Sequence, residues 1–538
     1  MADEQEERRE IEGYLEQHHL QAFIGDAVND VVKDRPKDPL LALGDALRAC
    51  SDASRQIQKI HGRQILNGEA LPALEVEIRT GQDKLLLPTF MGGARQGPAF
   101  GAVSSGPYDD DEEIFEGRGV LQAVESTDQI LADVLLGRDP TQQAKIDKLL
   151  AQESSLPTNV VSAASMACCK AGSKQTLVPV FDHIGAMCNN SEGRIPATAF
   201  STINGGQSAA SSLWVQNVFV LPTGDVGTLS DRLAVAGTVH RTLEVNARDA
   251  GQETLQRGPR GGFCNGAGTF EHLMDCLVAS IDSAGYQGRV EIVVDVHASK
   301  LVPPPAASEA AEDDQQHITE YDLSTFSSDH TALELISAQV LLDIYLEWLE
   351  RYPITAFVEP FAAADIAMSK ELLMRGNQVL QTKTNNSGAE AIDPSVPAPT
   401  GEAHAEHPES TEHIEGSSGD ESCLLRIIAD ESVSKLTQLA FVNEQRGANA
   451  VVINTSKLST VSDAIVLSSK ARELGWAVVV AAVDEQELEG DFLAEFGVGL
   501  RAEQLLLGGL RSASAIAACA QLLRIEAEGV THVDIGNE

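Results

Sequence analysis

Positive charge is scarce in this 538-residue chain. Lysine and arginine number 39 against 80 aspartates and glutamates, which leaves a formal net charge of −41. Because phosphate backbones and anionic lipid surfaces are bound by clustered lysine and arginine, this balance argues against nucleic acid or a membrane as a partner. Long apolar runs are also missing, since none approaches the roughly 20 residues that cross a bilayer. The acidic first ten residues are not typical of a targeting peptide.

Cysteine is used sparingly and without metal-site spacing. The eight cysteines include no C-x-x-C pair, and Cys168 and Cys169 are adjacent, which suits neither a disulfide framework nor a zinc site. Reduced thiols and a cytoplasmic location are therefore predicted. Hydrophobic residues make up 43% of the chain, as in soluble globular proteins, and the length predicts about three or four structural units.

Residues 10–50 have the pattern of two short amphipathic helices. Asp38 is a suitable N-cap and Pro39 a suitable first residue for the second helix. Apolar side chains recur at helical spacing on both segments: Leu20, Ile24, Val28, Val31 and Leu43. Two such short helices cannot bury both faces alone, so the pattern predicts half of a four-helix dimer.

This N-terminal block resembles the Dpy-30/RIIα dimerisation-docking family. The matching run is Tyr14-Leu15 … Leu20 … Ala27-Val28-Asn29 … Val31-Val32 … Arg35-Pro36-Lys37-Asp38-Pro39 … Leu47. The resemblance implies a four-helix bundle of two copies whose groove takes an amphipathic helix from a partner protein. The alternative is an ordinary helical hairpin that caps the large domain.

The remaining chain divides into a mixed region, residues 60–195, and a region of alternating strands and helices, residues 196–532. Short buried strands are predicted at 214–222, 291–297, 354–359, 424–430, 450–454, 477–481 and 504–507. This alternation indicates parallel βα units, and their number favours a barrel over an open sheet. Residues 376–422 are rich in proline, serine, glycine and acidic residues, so an acidic disordered insertion is predicted there.

Polar residues cluster at the predicted ends of the barrel strands. They are Asn217, Asp295, Glu359, Asp430 and Asn454. In a βα barrel, chemistry is placed at the C-terminal ends of the strands. Acids on three neighbouring strands suggest a Mg²⁺ site with oxygen ligands.

Across residues 60–532 the chain resembles enolase. Four stretches carry the resemblance: Gly137-Arg138-Asp139-Pro140, Cys169-Lys170-Ala171-Gly172, Ile203-Asn204-Gly205-Gly206 and Gln521-Leu522-Leu523-Arg524-Ile525-Glu526. The resemblance implies an α/β fold, with a small α+β cap domain over residues 60–195 and an eight-stranded barrel over residues 196–532, commonly dimeric. It also implies Mg²⁺-dependent dehydration of 2-phosphoglycerate as the ancestral activity.

The residues that this chemistry uses are replaced here. The resemblance implies a lysine base at the position of Asn454 and acidic helpers at Asn217 and Arg260. It also implies a loop histidine at Ser208 and a second lysine at Leu506. The expected protein is therefore a catalytically degenerate member of the family.

The implied metal scaffold survives in part. Asp295 and Asp430 match two of three carboxylate ligands, while the third position is Val358, with Glu359 one step along. One step along a strand turns a side chain to the other face, so Glu359 is a doubtful ligand. Mg²⁺ is a candidate cofactor, and the alternative is that these acids are inherited without a metal.

Three functional hypotheses follow. The first is a non-catalytic scaffold which, because of its docking block, resembles the enolase-like proteins of sperm and other cilia. The resemblance then implies a place in the axoneme, in a radial spoke or the central apparatus, with an axonemal protein supplying the docked helix. The second is an active or altered phosphopyruvate hydratase with Lys457 or Lys300 as base. The third is a small-ligand or metal-binding sensor that uses the remaining pocket, where Arg260 and Arg95 would hold an anion.

Overall fold

The structure, a computed structural model, describes most of the chain. The described residues are 11–49, 55–68, 70–81, 99–103, 115–190, 192–206, 209, 211, 213–223, 227–249, 256–258, 260–264, 269–303, 320–323, 335–390, 425–454, 459–481 and 490–533. Along these residues lie a helix pair, a small α+β domain and a barrel.

Two helices lie in the N-terminal block. Helices α1 (Leu20–Asp34) and α2 (Pro39–Ala49) are separated by a short turn, and residues 11–17 are also helical. The Asp38 carboxylate accepts a hydrogen bond from the Leu41 N–H at 3.0 Å, so it caps α2 as the sequence predicts. Helix α1 ends at Asp34, and the next residue, Arg35, adopts a left-handed conformation with φ of 48°.

The small domain is a three-stranded antiparallel meander covered by helices. Its elements are β1 (Ile57–Leu66), β2 (Pro72–Thr80), β3 (Ala99–Val103), α3 (Leu121–Ser126, extended by Thr127–Leu131 and Ala132–Leu135), α4 (Gln143–Gln152), α5 (Thr158–Thr176) and α6 (Val180–Met187). Helix α5 is almost wholly buried and lies across the meander. At Gly101 a Cβ atom would lie 2.0 Å from the Ala163 carbonyl oxygen, so glycine is required for this close approach.

The larger domain begins at β4 and ends at α14. In chain order its elements are β4 (Ala197–Asn204), β5 (Asn217–Pro222), α7 (Leu229–Asp249), β6 (Gln256–Arg257), β7 (Phe263–Cys264), α8 (Phe270–Ser283), β8 (Val290–Asp295), β9 (Glu320–Asp322), β10 (Leu335–Ser337), α9 (Ala338–Arg351), β11 (Ile354–Val358), α10 (Ile366–Glu390), β12 (Arg426–Ala429), α11 (Leu436–Gln445), β13 (Ala450–Asn454), α12 (Val461–Glu473), β14 (Ala477–Ala481), α13 (Gly490–Gly499), β15 (Gln504–Leu507) and α14 (Ala513–Ala527).

Within the described residues, eight of these strands form a closed ring in the order β4-β5-β8-β11-β12-β13-β14-β15. Parallel pairing of β15 with β4, which places Gln504 opposite Ala197, completes the ring. The predicted barrel is therefore confirmed. Its interior is filled by small and branched apolar side chains, among them Val358 and Leu506.

One strand of the ring runs against the prediction of parallel units. Strand β5 is antiparallel to both of its neighbours, β4 and β8. Asn217 therefore lies at the beginning of its strand and still reaches the barrel mouth, where it is paired with Asn204 and Asp295. The β4–β5 connection spans residues 205–216, and its described residues contain no crossover helix of the kind that joins parallel neighbours.

The first part of the insertion predicted to be disordered, residues 376–422, is helical. Helix α10 continues to Glu390, so residues 376–390 are helical, and residues 391–424 lie outside the described part of the chain. Leu380 is buried, and the Lys383 ammonium donates hydrogen bonds to the carbonyl oxygens of Leu349 and Tyr352, each at 2.9 Å. These tertiary contacts outweigh the polar composition of the segment.

None of the described helices is long and apolar enough to cross a membrane. The described cysteines, which include Cys168 and Cys169 inside α5, are free thiols. Burial raises the pKa of both of these thiols well above the ordinary value, so they are packed as small apolar side chains.

Candidate functional site at the barrel mouth

The predicted polar residues do meet at one end of the barrel. Asp295 ends β8, Asn454 ends β13 and Asp430 directly follows β12. The start of β5 brings Asn217 to the same end because that strand is reversed. All four side chains are 5% exposed or less. The mouth is therefore a buried polar cluster at the place where barrel enzymes keep their chemistry.

A histidine that the sequence did not single out lies at the centre of this cluster. His297 Nδ1 is 3.3 Å from Asp295 Oδ1, while Nε2 is 2.9 Å from Glu431 Oε1 and 3.9 Å from Asp430 Oδ2. Burial by itself lowers the pKa of His297, but the hydrogen bonds to Asp295 and Glu431 and the charge of Asp430 outweigh it and raise the pKa to about 10. The ring is therefore an imidazolium at neutral pH.

Arg260 supplies a second positive charge. Its Nη1 is 3.8 Å from Asp295 Oδ2, and the side chain is only 10% exposed. Burial would raise the pKa of Asp295, but the hydrogen bond from His297 and the charges of His297, Arg260 and Lys300 lower it below its ordinary value. Asp295 is thus a carboxylate placed between two cations.

The loop that carries Arg260 is fixed by close backbone approaches. Gly261 has a φ of +78°, and a Cβ atom there would lie 2.8 Å from the Ser512 nitrogen. Only glycine adopts this conformation at such a distance without strain. The Arg260 carbonyl oxygen also accepts a hydrogen bond from the Gly509 N–H at 2.6 Å. The guanidinium is therefore presented to the mouth by a rigid turn.

Asn217 belongs to a network of neutral hydrogen bonds. Its Oδ1 accepts from Ser201 Oγ at 2.8 Å and from Asn204 Nδ2 at 2.6 Å. Asn204 Oδ1 in turn accepts from the Gly262 N–H at 2.9 Å, which ties the network to the Arg260 loop. At the position where the resemblance implies an acidic helper, the chain has a structural amide.

Glu359 is hydrogen-bonded to the turn after β12. Its Oε1 accepts hydrogen bonds from the Asp430 N–H at 2.6 Å and from Ser432, through the N–H at 2.9 Å and Oγ at 2.7 Å. Burial raises the pKa of Glu359, although the Ser432 hydrogen bonds oppose this rise. The carboxyl group thus anchors the turn after β12.

The remaining predicted positions are apolar, distant or outside the described residues. Leu506 projects into the apolar barrel interior, and Lys300 is exposed in the short turn Ala298–Leu301. Ser208, Lys457 and Arg95 lie outside the described residues. The described nitrogen groups of the mouth are amides, one imidazolium and one guanidinium, none of which accepts a proton at neutral pH.

The residues of the mouth do not fit a Mg²⁺ ion. Magnesium needs near-octahedral oxygen ligands. Asp295 here faces His297 and Arg260, Asp430 lies beside His297, and the third ligand position is the hydrocarbon of Val358. Among the described residues, no group of three or more histidine, cysteine or acidic side chains is arranged to hold a metal.

The docking candidates form a second site, on the helix pair. Leu20, Val31 and Leu43 are partly buried, whereas Ile24 and Val28 are 48% and 39% exposed. Other large apolar side chains of this region are also exposed: Ile11, Tyr14, Phe23, Val32, Leu40 and Leu41. The helix pair thus carries an apolar surface that the described chain leaves uncovered.

Family profiles cover most of the chain. The profile described as "Enolase, N-terminal domain" matches residues 57–184, and "Enolase, C-terminal TIM barrel domain" matches residues 192–386 and 406–535. The helix pair precedes both matches.

Three similar proteins are enolases from distant organisms. "Cytosolic enolase 3" of Arabidopsis thaliana is 24% identical over 534 residues, which cover 96% of both chains. "Enolase 1" of Entamoeba histolytica is 26% identical and covers 88% of this chain and 96% of its own. "Enolase" of Mastigamoeba balamuthi is also 26% identical, with 88% and 95% covered. With both domains matched over most of its length, the chain belongs to the enolase family.

Proposed function

We propose that this enolase-family chain is a non-catalytic structural protein. The observation that carries the proposal is the buried amide of Asn454 at the position where the resemblance implies the lysine base. An amide has no basic lone pair, so it cannot remove the weakly acidic proton next to a carboxylate.

The other replaced positions also argue against catalysis. Removal of one general base typically costs roughly 10²–10⁴ in rate. Here the position of an acidic helper is the hydrogen-bonded Asn217, and that of the second lysine is Leu506, packed in the barrel interior. Such losses do not add, but none of these neutral side chains supplies the missing chemistry.

The helix pair gives the proposed scaffold its attachment. Burying a leucine or isoleucine side chain contributes about 1.5–3 kcal/mol, so the exposed face around Ile24 and Val28 favours association. We assign it to pairing with a second copy and to holding an amphipathic helix of a partner. The combination with an enolase-like barrel resembles ciliary proteins, and this supports an axonemal partner in a radial spoke or the central apparatus.

Direct assay tests the loss of catalysis. Purified full-length protein with Mg²⁺ and 2-phosphoglycerate should form no phosphoenolpyruvate, while a similar enolase assayed in parallel forms it readily. Turnover that disappears in the Lys457→Ala variant would overturn the proposal.

Such turnover would support the alternative function, an altered phosphopyruvate hydratase. The match to enolases over 96% of the chain favours this alternative. It would need a base from outside the matched lysine position, either Lys457 or the exposed Lys300. The variants Lys457→Ala and Lys300→Ala, assayed separately, identify which lysine acts.

A further inference from the structure

We propose that His297 and Arg260 are permanent counter-ions of the Asp295–Asp430 carboxylate pair, so that the barrel mouth keeps its shape without a divalent cation. This inference goes beyond the loss of catalysis, because an inactive family member could still bind a metal at intact carboxylates. It concerns what neutralises the buried acids that the chain has kept.

His297 lies between the carboxylates of two neighbouring strand ends. Its imidazole bridges two strand ends, with Nδ1 toward Asp295 at the end of β8 and Nε2 toward Asp430 and Glu431 after β12. The side chains of His297, Asp295 and Asp430 are all 4% exposed or less. Buried carboxylates require a compensating positive charge nearby. Both ring nitrogens of His297 face carboxylate oxygens, and only the doubly protonated ring donates from both nitrogens, so this geometry assigns the positive charge to His297.

The backbone around His297 holds its ring in this position. His297 adopts a left-handed conformation with φ of 54°, which turns its ring back toward the strand end. The flanking N–H groups of Val296 and Ala298 donate to the carbonyl oxygens of Val358 and Glu359, each at 3.0 Å. The protein's own hydrogen bonds therefore fix the ring between the acids.

The charges around the Asp295–Asp430 pair already include two cations. The buried Asp295 and Asp430 bring two negative charges, which His297 and Arg260 match with two positive charges, while the Glu431 side chain is 39% exposed and keeps contact with water. A divalent cation at the carboxylate pair would lie within a few ångströms of both cationic side chains, and like charges repel strongly where water is excluded. The pair is therefore already balanced and closed to a further cation.

Manganese binding, followed by electron paramagnetic resonance of free Mn²⁺, tests the proposal on the full-length protein. A chain of net charge −41 binds Mn²⁺ weakly at many places, so the readout is the difference between matched variants. Wild type and Asp295→Asn should bind the same amount of Mn²⁺. The double variant His297→Ala/Arg260→Ser should gain one equivalent, and the added change Asp295→Asn should remove it.

Two results would overturn the proposal. One is a wild type that binds one equivalent more than Asp295→Asn, and the other is a folded double variant that gains no site. If the double variant does not fold, the melting temperature of wild type decides: it should be the same in Mg²⁺ and in chelator, and a fall in chelator contradicts the proposal. Absence of turnover in the 2-phosphoglycerate assay would still support the non-catalytic function in that case.

Discussion

At the residue scale, His240 is a buried histidine that is neutral in the folded chain. Its ring stacks on Phe263 with centroids 4.3 Å apart, and it is 5% exposed. Burial, reinforced by the charge of Arg511, lowers the pKa of His240 to about 4, although the charge of Glu244 opposes this. Its Nε2 has no hydrogen-bond partner among the described residues. The unfolded chain therefore binds a proton at this residue at a higher pH than the folded chain does.

We predict that His240 makes the protein less stable as the pH falls below about 6.5. Arg257 and Arg241 act in the same direction as Arg511. A depressed pKa in the folded state means that the unfolded chain gains protons first, so stability rises with pH between the two pKa values. Between about pH 7 and pH 5, wild type should lose about 2 kcal/mol more than His240→Leu in urea unfolding.

The exposed His272 provides the control for this prediction. Wild type and His272→Leu should have the same dependence of stability on pH, because the His272 side chain remains in contact with water in the folded chain. An equal dependence in His240→Leu and wild type would contradict the assignment of His240 as a neutral buried group.

Only part of the candidate site was predictable from the sequence. Asp295, Asp430, Asn217 and Asn454 stand at strand ends, and the structure brings them together. His297 was missed, although it lies two residues after Asp295, the spacing that puts side chains on one side of an extended strand. Its pairing with residues after another strand depends on a left-handed turn and on tertiary contacts, which no local pattern reveals.

At the element scale, the end of helix α10 contributes to the fold although its composition is polar. Asn377 Oδ1 accepts a hydrogen bond from the Leu425 N–H at 2.8 Å, so the chain returns to the middle of the helix before β12. The helix continues for 13 residues beyond Asn377, from 377 to 390, which is about 20 Å at 1.5 Å per residue. The returning segment must span that distance.

Two replacements distinguish the helical part of the 376–422 insertion, residues 376–390, from the rest of it. Replacement of residues 391–422 by a Gly/Ser linker of about ten residues, long enough for the return, should leave the melting temperature unchanged. The same linker in place of 376–422 should lower it by several degrees, because it removes Asn377, Leu380 and Lys383. Equal melting temperatures would show that the helix end does not stabilise the barrel.

A single substitution tests the contribution of the Lys383 hydrogen bonds by themselves. We expect Lys383→Ala to lower the free energy of unfolding by about 1.5–3 kcal/mol, since a charged donor to two carbonyl oxygens is lost. Lys370→Ala, at an exposed position of the same helix, should have little effect. Chemical denaturation measures both, and equal effects would contradict the structural role of Lys383.

The order of the elements was predictable, but the direction of β5 was not. The run from 217 to 222 is buried on both faces, so it has no alternation and no sign of its orientation. The reversal follows from pairing with β4 and β8, which is a property of the assembled ring. The helical end of α10 was missed for a similar reason, because its contacts are with α9 and with the chain before β12.

At the scale of the whole molecule, we predict that the helix pair, and not the barrel, holds two copies together and recruits the partner. Ile24→Asp would place an unpaired carboxylate in the apolar interface, where burial without a partner is costly. The variant should be monomeric by light scattering and absent from axonemes, while its barrel unfolds as in wild type because the barrel has its own core.

Asn29→Asp is the matched control. It adds the same charge to α1, away from the apolar stripe, and should leave dimers and incorporation unchanged. Normal incorporation of Ile24→Asp would mean that the barrel surface provides the anchor, and the docking assignment would then be wrong.

The closure of the ring through β15 has a consequence for incomplete chains. Among the described strands, β15 is the last to be synthesised, and it pairs with both β14 and β4. A premature stop before Gln504 leaves both neighbours with open backbone edges, and such edges recruit strands from other molecules. Truncated products would therefore aggregate or be degraded, while their N-terminal helices could still join full-length chains and carry the damage into the assembly.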